Sequence, residues 1–305
     1  SEGTLAVTTE IKLSLDPLPD PIEIVVAAHF ESIHESMKSA QVAMKHEVTA
    51  VELMDKIILD CTKESIEYSK NRYFVEGDPK ALLMIEFRGK TLEEAMAKGE
   101  ALIADLKVAG YGYAYPIIEP EKVASAWALR AAGLGLLGNI PGDPKAVACI
   151  EDTAVDITDL ADYIDELDGI LAGFNQNPVH YAHAGAGEIH MRPILDLKKA
   201  EDVEEFYQIS LASAKLVKKY QGSLSGEHGD GRVRAAFIPM MVGDKNYQLF
   251  RRIKYTWDPK NIFNPGKIVD AAPMNQFLRY EIGMHTPDPE TVFDFSGAGG
   301  ILRLA

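Results

Sequence analysis

A chain of 305 residues can form one large domain or two smaller ones with a sizeable core. Charged residues make up 25% of it, mixed in sign and not gathered into runs, which argues against disorder. The formal net charge of -15 repels phosphate backbones and anionic membrane surfaces over about 8 Å at physiological salt. Nucleic acid is thereby excluded as a natural partner, and any acid-binding site must carry its own local cations.

The opening Ser1-Glu2-Gly3-Thr4-Leu5 runs into an alternating segment, 6–15, and then Pro17, Pro19 and Pro21. This reads as the last strand of one unit followed by a linker. Residues 22–30 are apolar and β-branched, Ile33, Met37, Ala40 and Met44 recur at helical spacing, and 48–53 is again strand-like. A second β-α-β unit has strands at 81–87 and 111–118 around a helix opened by the capping box Thr91-Leu-Glu-Glu94 and closed by Gly110. A third strand, 146–150, leads to a helix with Asp156 as its cap and Leu160, Ile164, Leu167 and Leu171 on one face.

Strands return within 180–194, residues 201–220 form a long amphipathic helix, and the chain to Asp270 reads as mostly helical. The stretch 271–305, with Pro273, Pro287, Pro289 and the cluster Ser296-Gly-Ala-Gly-Gly300, reads as an extended connector. Consecutive β-α-β pairs predict an α+β fold, a ferredoxin-like α/β sandwich with a largely antiparallel sheet, plus a C-terminal helical segment. No glycine-rich fingerprint follows a strand, which disfavours a doubly wound sheet. The expected divisions are 1–20, 21–270 and 271–305, with both ends reading as cuts inside a longer protein.

Cys61 and Cys149 have no metal-ligand spacing and read as apolar thiols of a reducing compartment. No apolar run approaches the roughly 20 residues needed to cross a bilayer. The expected location is cytoplasmic, or peripheral to an inner membrane through a partner.

Two histidines, His183 and His190, flank Gly185 and Gly187 in His183-Ala-Gly-Ala-Gly-Glu-Ile-His190-Met-Arg192. In one continuous strand, residues seven apart face opposite sides, so these imidazoles converge only if the chain bends at the glycines. With a carboxylate from elsewhere they offer three ligands and an open position, as a catalytic divalent metal requires. The alternative is a pair of hydrogen-bonded core histidines.

A second segment, Ser225-Gly-Glu227-His228-Gly-Asp230-Gly231, follows the long helix. Its glycines permit close backbone approach to a ligand; Glu227 can complete the metal site and His228 can act as general base. A solvated surface loop is the plainer reading. Asn264-Pro265-Gly266 has the order of a type II turn.

These segments, HAGAGEIH (183–190), SGEHGDG (225–231) and DPKNIFNPGKI (258–268), resemble in order the C-terminal domain of FAD-linked oxidases. That family includes the flavoprotein of glycolate oxidase, D-lactate dehydrogenases and D-2-hydroxyglutarate dehydrogenase. The likeness is closest to long bacterial members carrying an iron-sulfur domain. The resemblance implies FAD bound mainly by a domain before this chain, with Ser1, Glu2, Gly3 and Thr4 as the end of that domain and Asn264 near the flavin edge. An iron-sulfur cluster would lie in a domain beyond 271–305.

It further implies a divalent metal, zinc or manganese, on His183, His190 and Glu227, with His228 as the base. The substrate would be a small 2-hydroxy acid held by Arg130 and Lys145, with Arg192 as a further cation. The chain departs from the family pattern at Ala182, Ala186 and Glu188, and Glu188 is expected to join the metal shell or to bond a ligand histidine. A metal-dependent hydrolase using Glu188 or His228, and a non-catalytic docking module of a redox complex, are the competing readings.

Overall fold

The β-branched run at 22–30 forms strand β1 (Ile22–Phe30), buried over its last seven residues, in a computed structural model that describes residues 2–303 except Glu64, Pro141 and Thr286. Ser32 caps α1 (Ile33–Ala43) by accepting from Glu35 N, and the chain returns as β2 (Val48–Asp55). Asp55 both ends that strand and caps the short α2 (Lys56–Cys61). Strand β3 (Ala81–Gly89) inserts antiparallel between β1 and β2. Thr91 caps α3 (Leu92–Ala109), and Glu94 reaches back to Lys90 N. Gly110, with φ 75°, stops the helix in the left-handed region that glycine adopts without a steric cost. Strand β4 (Ile117–Ile118) then pairs with the free side of β1.

Helix α4 (Pro120–Leu136) leads into β5 (Lys145–Ala146) and β6 (Ile150–Ala154). The pattern of the first half then recurs. Helix α5 (Leu160–Gly173) is followed by β7 (Val179–His183) and β8 (Glu188–Arg192), and β8 lies between β7 and β6. Strand β9 (Ile194–Leu195) pairs with β5 in a small ribbon, and α6 (Ala200–Lys219) follows. Where a fourth strand would complete this second unit there is a single bridge, Ala154 to Ser223. The result is one seven-stranded sheet, order β4-β1-β3-β2-β7-β8-β6, with antiparallel pairing between neighbours throughout the described residues. The ferredoxin-like α+β expectation holds, as two split β-α-β units sharing a sheet.

Helices α1, α3, α5 and α6 cover one face through Met37, Leu102, Leu106, Leu167 and Phe206. On the other face α2 and α4 cover Val25, Met54, Leu82 and Tyr181. The C-terminal helices are α7 (Gly231–Arg234), α8 (Ile238–Val242) and α9 (Asp244–Trp257). No helix of the described residues is long and apolar enough to cross a membrane.

Five sequence expectations need correction, the first being the strand expected at 146–150, whose two ends belong to separate strands, β5 and β6. Residues 6–15 form no strand, and their apolar side chains Ile11, Leu13 and Leu15 are exposed. Of 111–118, only Ile117–Ile118 is a strand, because Tyr115 folds its hydroxyl back to Tyr111 O and Gly112 O. Asp156 does not cap α5. It accepts from Thr158 N and Oγ1 in a local turn, and the helix begins at Leu160. Beyond Trp257 the chain to Asp270 is turns, held by Asp258 accepting from Ile262 N and Phe263 N.

Burial pushes the Cys149 thiol up to about 12, as expected of an inert core cysteine. His180, 7% exposed, is different: Nε2 lies 2.9 Å from Asp168 Oδ1 and Nδ1 3.6 Å from Asp55 Oδ2. Burial alone would lower its pKa, but the two carboxylates outweigh it and raise it to about 9. A histidine raised on folding contributes stability that is complete below its ordinary value and lost as pH climbs through the folded value. Unfolding free energy is therefore expected to fall between pH 6.5 and about 9, by at most about 3 kcal/mol from this group. His180→Gln should flatten that decline in denaturant titrations, and an unchanged pH slope would refute the assignment.

Candidate active site

The convergence of His183 and His190 follows from strand register. In the β7–β8 hairpin Tyr181 faces His190, His183 faces Glu188, and Val179 faces Arg192. Alternation along each strand therefore puts Tyr181, His183, Glu188, His190 and Arg192 on one side. The turn between the strands is a single 3-10 turn, Ala184–Ala186, closed by Gly187 at φ 71°. The imidazoles meet edge to face, with centroids 5.3 Å apart.

The second segment is brought over this face by Asp152. Two residues of β6, Glu151 and Asp152, oppose the single His190 between the pairs Ile150–Met191 and Thr153–Ile189. Asp152 takes φ 73° in this bulge and is wholly buried. Its carboxylate accepts from Ser225 Oγ at 2.5 Å and from the amides of Glu227 and His228 at 2.9 Å. Its carbonyl accepts from Gly226 N at 2.8 Å. The loop so held places Glu227 Oε1 3.7 Å from His183 Nε2 and 3.2 Å from His228 Nε2. The His228 ring stacks on His190 at 5.4 Å.

His183, Glu188, His190 and Glu227 thus offer ligand atoms all within 4.8 Å of one another, and Glu151, His190 and His228 form an overlapping trio. The donors suit a divalent ion: imidazole nitrogens and carboxylate oxygens, part buried, part open. Glu188 Oε1 and His190 Nδ1 are buried and make no hydrogen bond among the described residues, as befits side chains whose partner is a ligand. Glu188 joins the cluster, its Oε1 lying 3.6 Å from His190 Nε2.

Charge in the cluster is uneven. Burial, then the adjacent Asp152 carboxylate, pushes Glu188 up to about 7. Burial would raise Asp152 too, but hydrogen bonds from Glu188, Ser225 and two backbone amides hold it well below the usual carboxylate range. The bond to Glu52 raises His183 against its burial. Burial lowers His190, with Glu151 opposing and the two neighbouring histidines reinforcing.

Among the candidate acid-binding cations, Arg130 lies on α4 with its guanidinium 4.0 Å over the Tyr181 ring. It donates to Tyr181 Oη at 2.5 Å and Ala182 O at 3.3 Å and pairs with Glu52. Arg192 forms a two-pronged pair with Glu151, at 2.9 and 2.6 Å. Lys145 donates to Ile140 O and lines a cavity of about 410 Å3 with Lys198, Arg279 and Tyr280. Of the residues expected near the flavin, Glu2, Thr4 and Asn264 do meet. Asn264 Nδ2 donates to Glu2 O at 2.6 Å, Thr4 Oγ1 to Asn264 O at 3.4 Å, and Gly231 N to Glu2 Oε1 at 2.9 Å. Gly3, at φ 69°, turns the chain between them, and Ser1 lies outside the described residues.

Sequence reasoning missed Glu52, Glu151, Asp152 and Tyr181. The available signal was a carboxylate inside an apolar strand, at Val51-Glu52-Leu53-Met54, and an acidic pair in a short strand, at Ile150-Glu151-Asp152. Buried carboxylates require partners, but the sequence does not name them.

Residues 21–268 match the family described as FAD linked oxidases, C-terminal domain. The chain is 33% identical over 278 residues to a D-2-hydroxyglutarate dehydrogenase of Pseudomonas putida, covering 88% of this chain and 27% of that protein. It is 26% identical over 279 residues to the glycolate oxidase protein GlcD of Bacillus subtilis, covering 88% and 55%. It therefore spans about a quarter to a half of the length of these relatives. In fold it is similar to 4-ethylphenol oxidase from Gulosibacter chungangensis, with a TM-score of 0.57 at 13% identity, over 83% of this chain and 55% of that one. The match over 21–268, which takes in the hairpin, the SGEHGDG loop and the turn at Asn264, makes the chain a member of the FAD-linked oxidase C-terminal domain family.

Proposed function

We propose that this chain forms the substrate side of an FAD-dependent dehydrogenase of small 2-hydroxy acids, assisted by a divalent metal. The observation that carries the reading is the convergence of His183, Glu188, His190 and Glu227 within 4.8 Å, beside the stacked His228. His183, His190 and Glu227 would hold zinc or manganese, with Glu188 as a further donor, and the ion would polarise the oxygens of the acid. FAD, when bound, supplies a hydride acceptor for the carbon bearing the hydroxyl.

The chain's own residues do the rest. His228, half exposed and hydrogen-bonded through its amide to Asp152, takes the hydroxyl proton. Arg130 holds the acid's carboxylate, with Arg192 and Lys145 as further cations; a charge-assisted bond of this kind contributes about 1.5–3 kcal/mol. Glu2, Gly3, Thr4 and Asn264 form the edge facing the cofactor.

In the full-length protein, D-2-hydroxyglutarate, D-lactate or glycolate is expected to bleach the oxidised flavin absorbance. Chelation should slow the bleaching, and zinc or manganese should restore it. A flavin that stays oxidised with all three acids would overturn the reading.

A further inference from the structure

One partly buried carboxylate joins the two parts of this site. Glu52, on β2, lies with its Oε1 and Oε2 3.1 and 2.9 Å from His183 Nδ1, and its Oε2 is also ion-paired to Arg130 Nη2. Its side chain is only 14% exposed, so solvent screens neither contact well. Because Nδ1 is taken, Nε2 is the His183 nitrogen left facing Glu227. A carboxylate on the far nitrogen of a ligating histidine fixes its tautomer and strengthens it as a donor. Here that carboxylate is shared with a guanidinium, so the pull of Arg130 on Glu52 is charge withdrawn from His183. Arg130 Nε, also buried, has no hydrogen-bond partner among the described residues, which leaves the guanidinium with capacity for another anion.

We propose that Glu52 is a positioning residue that couples acid binding at Arg130 to metal binding at His183. A carboxylate drawn to Arg130 loosens the Arg130–Glu52 pair, returns the Glu52 charge to His183 and tightens the metal site. By linkage, bound metal raises affinity for the acid by the same factor. The inference rests on the metal-assisted reading above.

The test uses manganese alone as probe, titrated into metal-stripped full-length protein as wild type, Glu52→Gln, Arg130→Gln and the double variant. Glu52→Gln is expected to weaken manganese by about 10–100-fold. Arg130→Gln mimics the acid-engaged state and should tighten manganese by about fivefold or more, and that gain should vanish in the Glu52→Gln background. An equal gain in both backgrounds would reduce Arg130 to a distant repulsive charge and overturn the coupling. So would unchanged affinity in Glu52→Gln. Should Glu52→Gln fail to fold, weaker or unchanged binding in Arg130→Gln alone overturns it. Wild-type protein that binds neither manganese nor, in a parallel titration, zinc overturns the metal-assisted reading and this inference together, whereas every other adverse outcome removes only the coupling.

Discussion

Replacing His228 with alanine is expected to lower kcat of the full-length enzyme by about 10²–10⁴-fold, the contribution typical of a general base, while manganese affinity stays within about threefold of wild type, because the substitution removes no proposed ligand. Two features set this expectation. The four-ligand group contains Glu227 but not His228, and the loop's attachment to Asp152 runs through backbone amides that alanine keeps. The overlapping trio of Glu151, His190 and His228 supplies the rival outcome. If His228 is a ligand, affinity and rate fall together. Flavin reduction followed in single turnovers, beside a metal titration of the same variant, separates the two. A variant reducing its flavin at the wild-type rate would remove His228 from the chemistry altogether.

The parts of the fold legible in the sequence are those governed by local rules. The Thr91 box, the stop at Gly110 and the 3.6-residue stripe of α5 and α6 all follow from neighbours in sequence. The expectations that failed also rest on local signals, but ones that tertiary context overrides. An alternating segment such as 6–15 becomes a strand only when another strand supplies its hydrogen bonds. The aspartate at 156 has a nearer donor in Thr158.

The site divides in the same way. His183, His190, Glu227 and His228 are legible because glycines flank them and their chemistry is distinctive. The side chains that orient them are not: Glu52 is 131 residues from His183, and Asp152 is 75 residues from Glu227. Only sheet order and a bulge bring them together. The bend expected at the glycines is present, but its meaning lies in the register. By pairing Tyr181 with His190, the hairpin turns a seven-residue separation from opposite faces into the same face.

Gly187→Ala is expected to destabilise the chain by about 2–5 kcal/mol and to abolish metal binding with it. A β-carbon there would lie 2.1 Å from Val155 O, a backbone atom held in place by the bond from Val155 N to Gly187 O. The residue also sits at φ 71°, where a side chain costs about 1–2 kcal/mol, and overpacking of this kind costs about 1–3 kcal/mol or more. Gly185→Ala is the matched comparison. Its β-carbon would meet Met44 Sδ and Val51 Cβ at 3.2 Å, a milder approach that a shift of a few tenths of an ångström relieves and that the Met44 thioether can yield to, and its φ is not positive. If urea denaturation finds the two variants equally stable, the turn tolerates both and the hairpin is not what aligns the histidines. If Gly187→Ala alone unfolds early, while Gly185→Ala keeps its manganese site, the left-handed turn at Gly187 is what sets the register that brings His183 and His190 to one face.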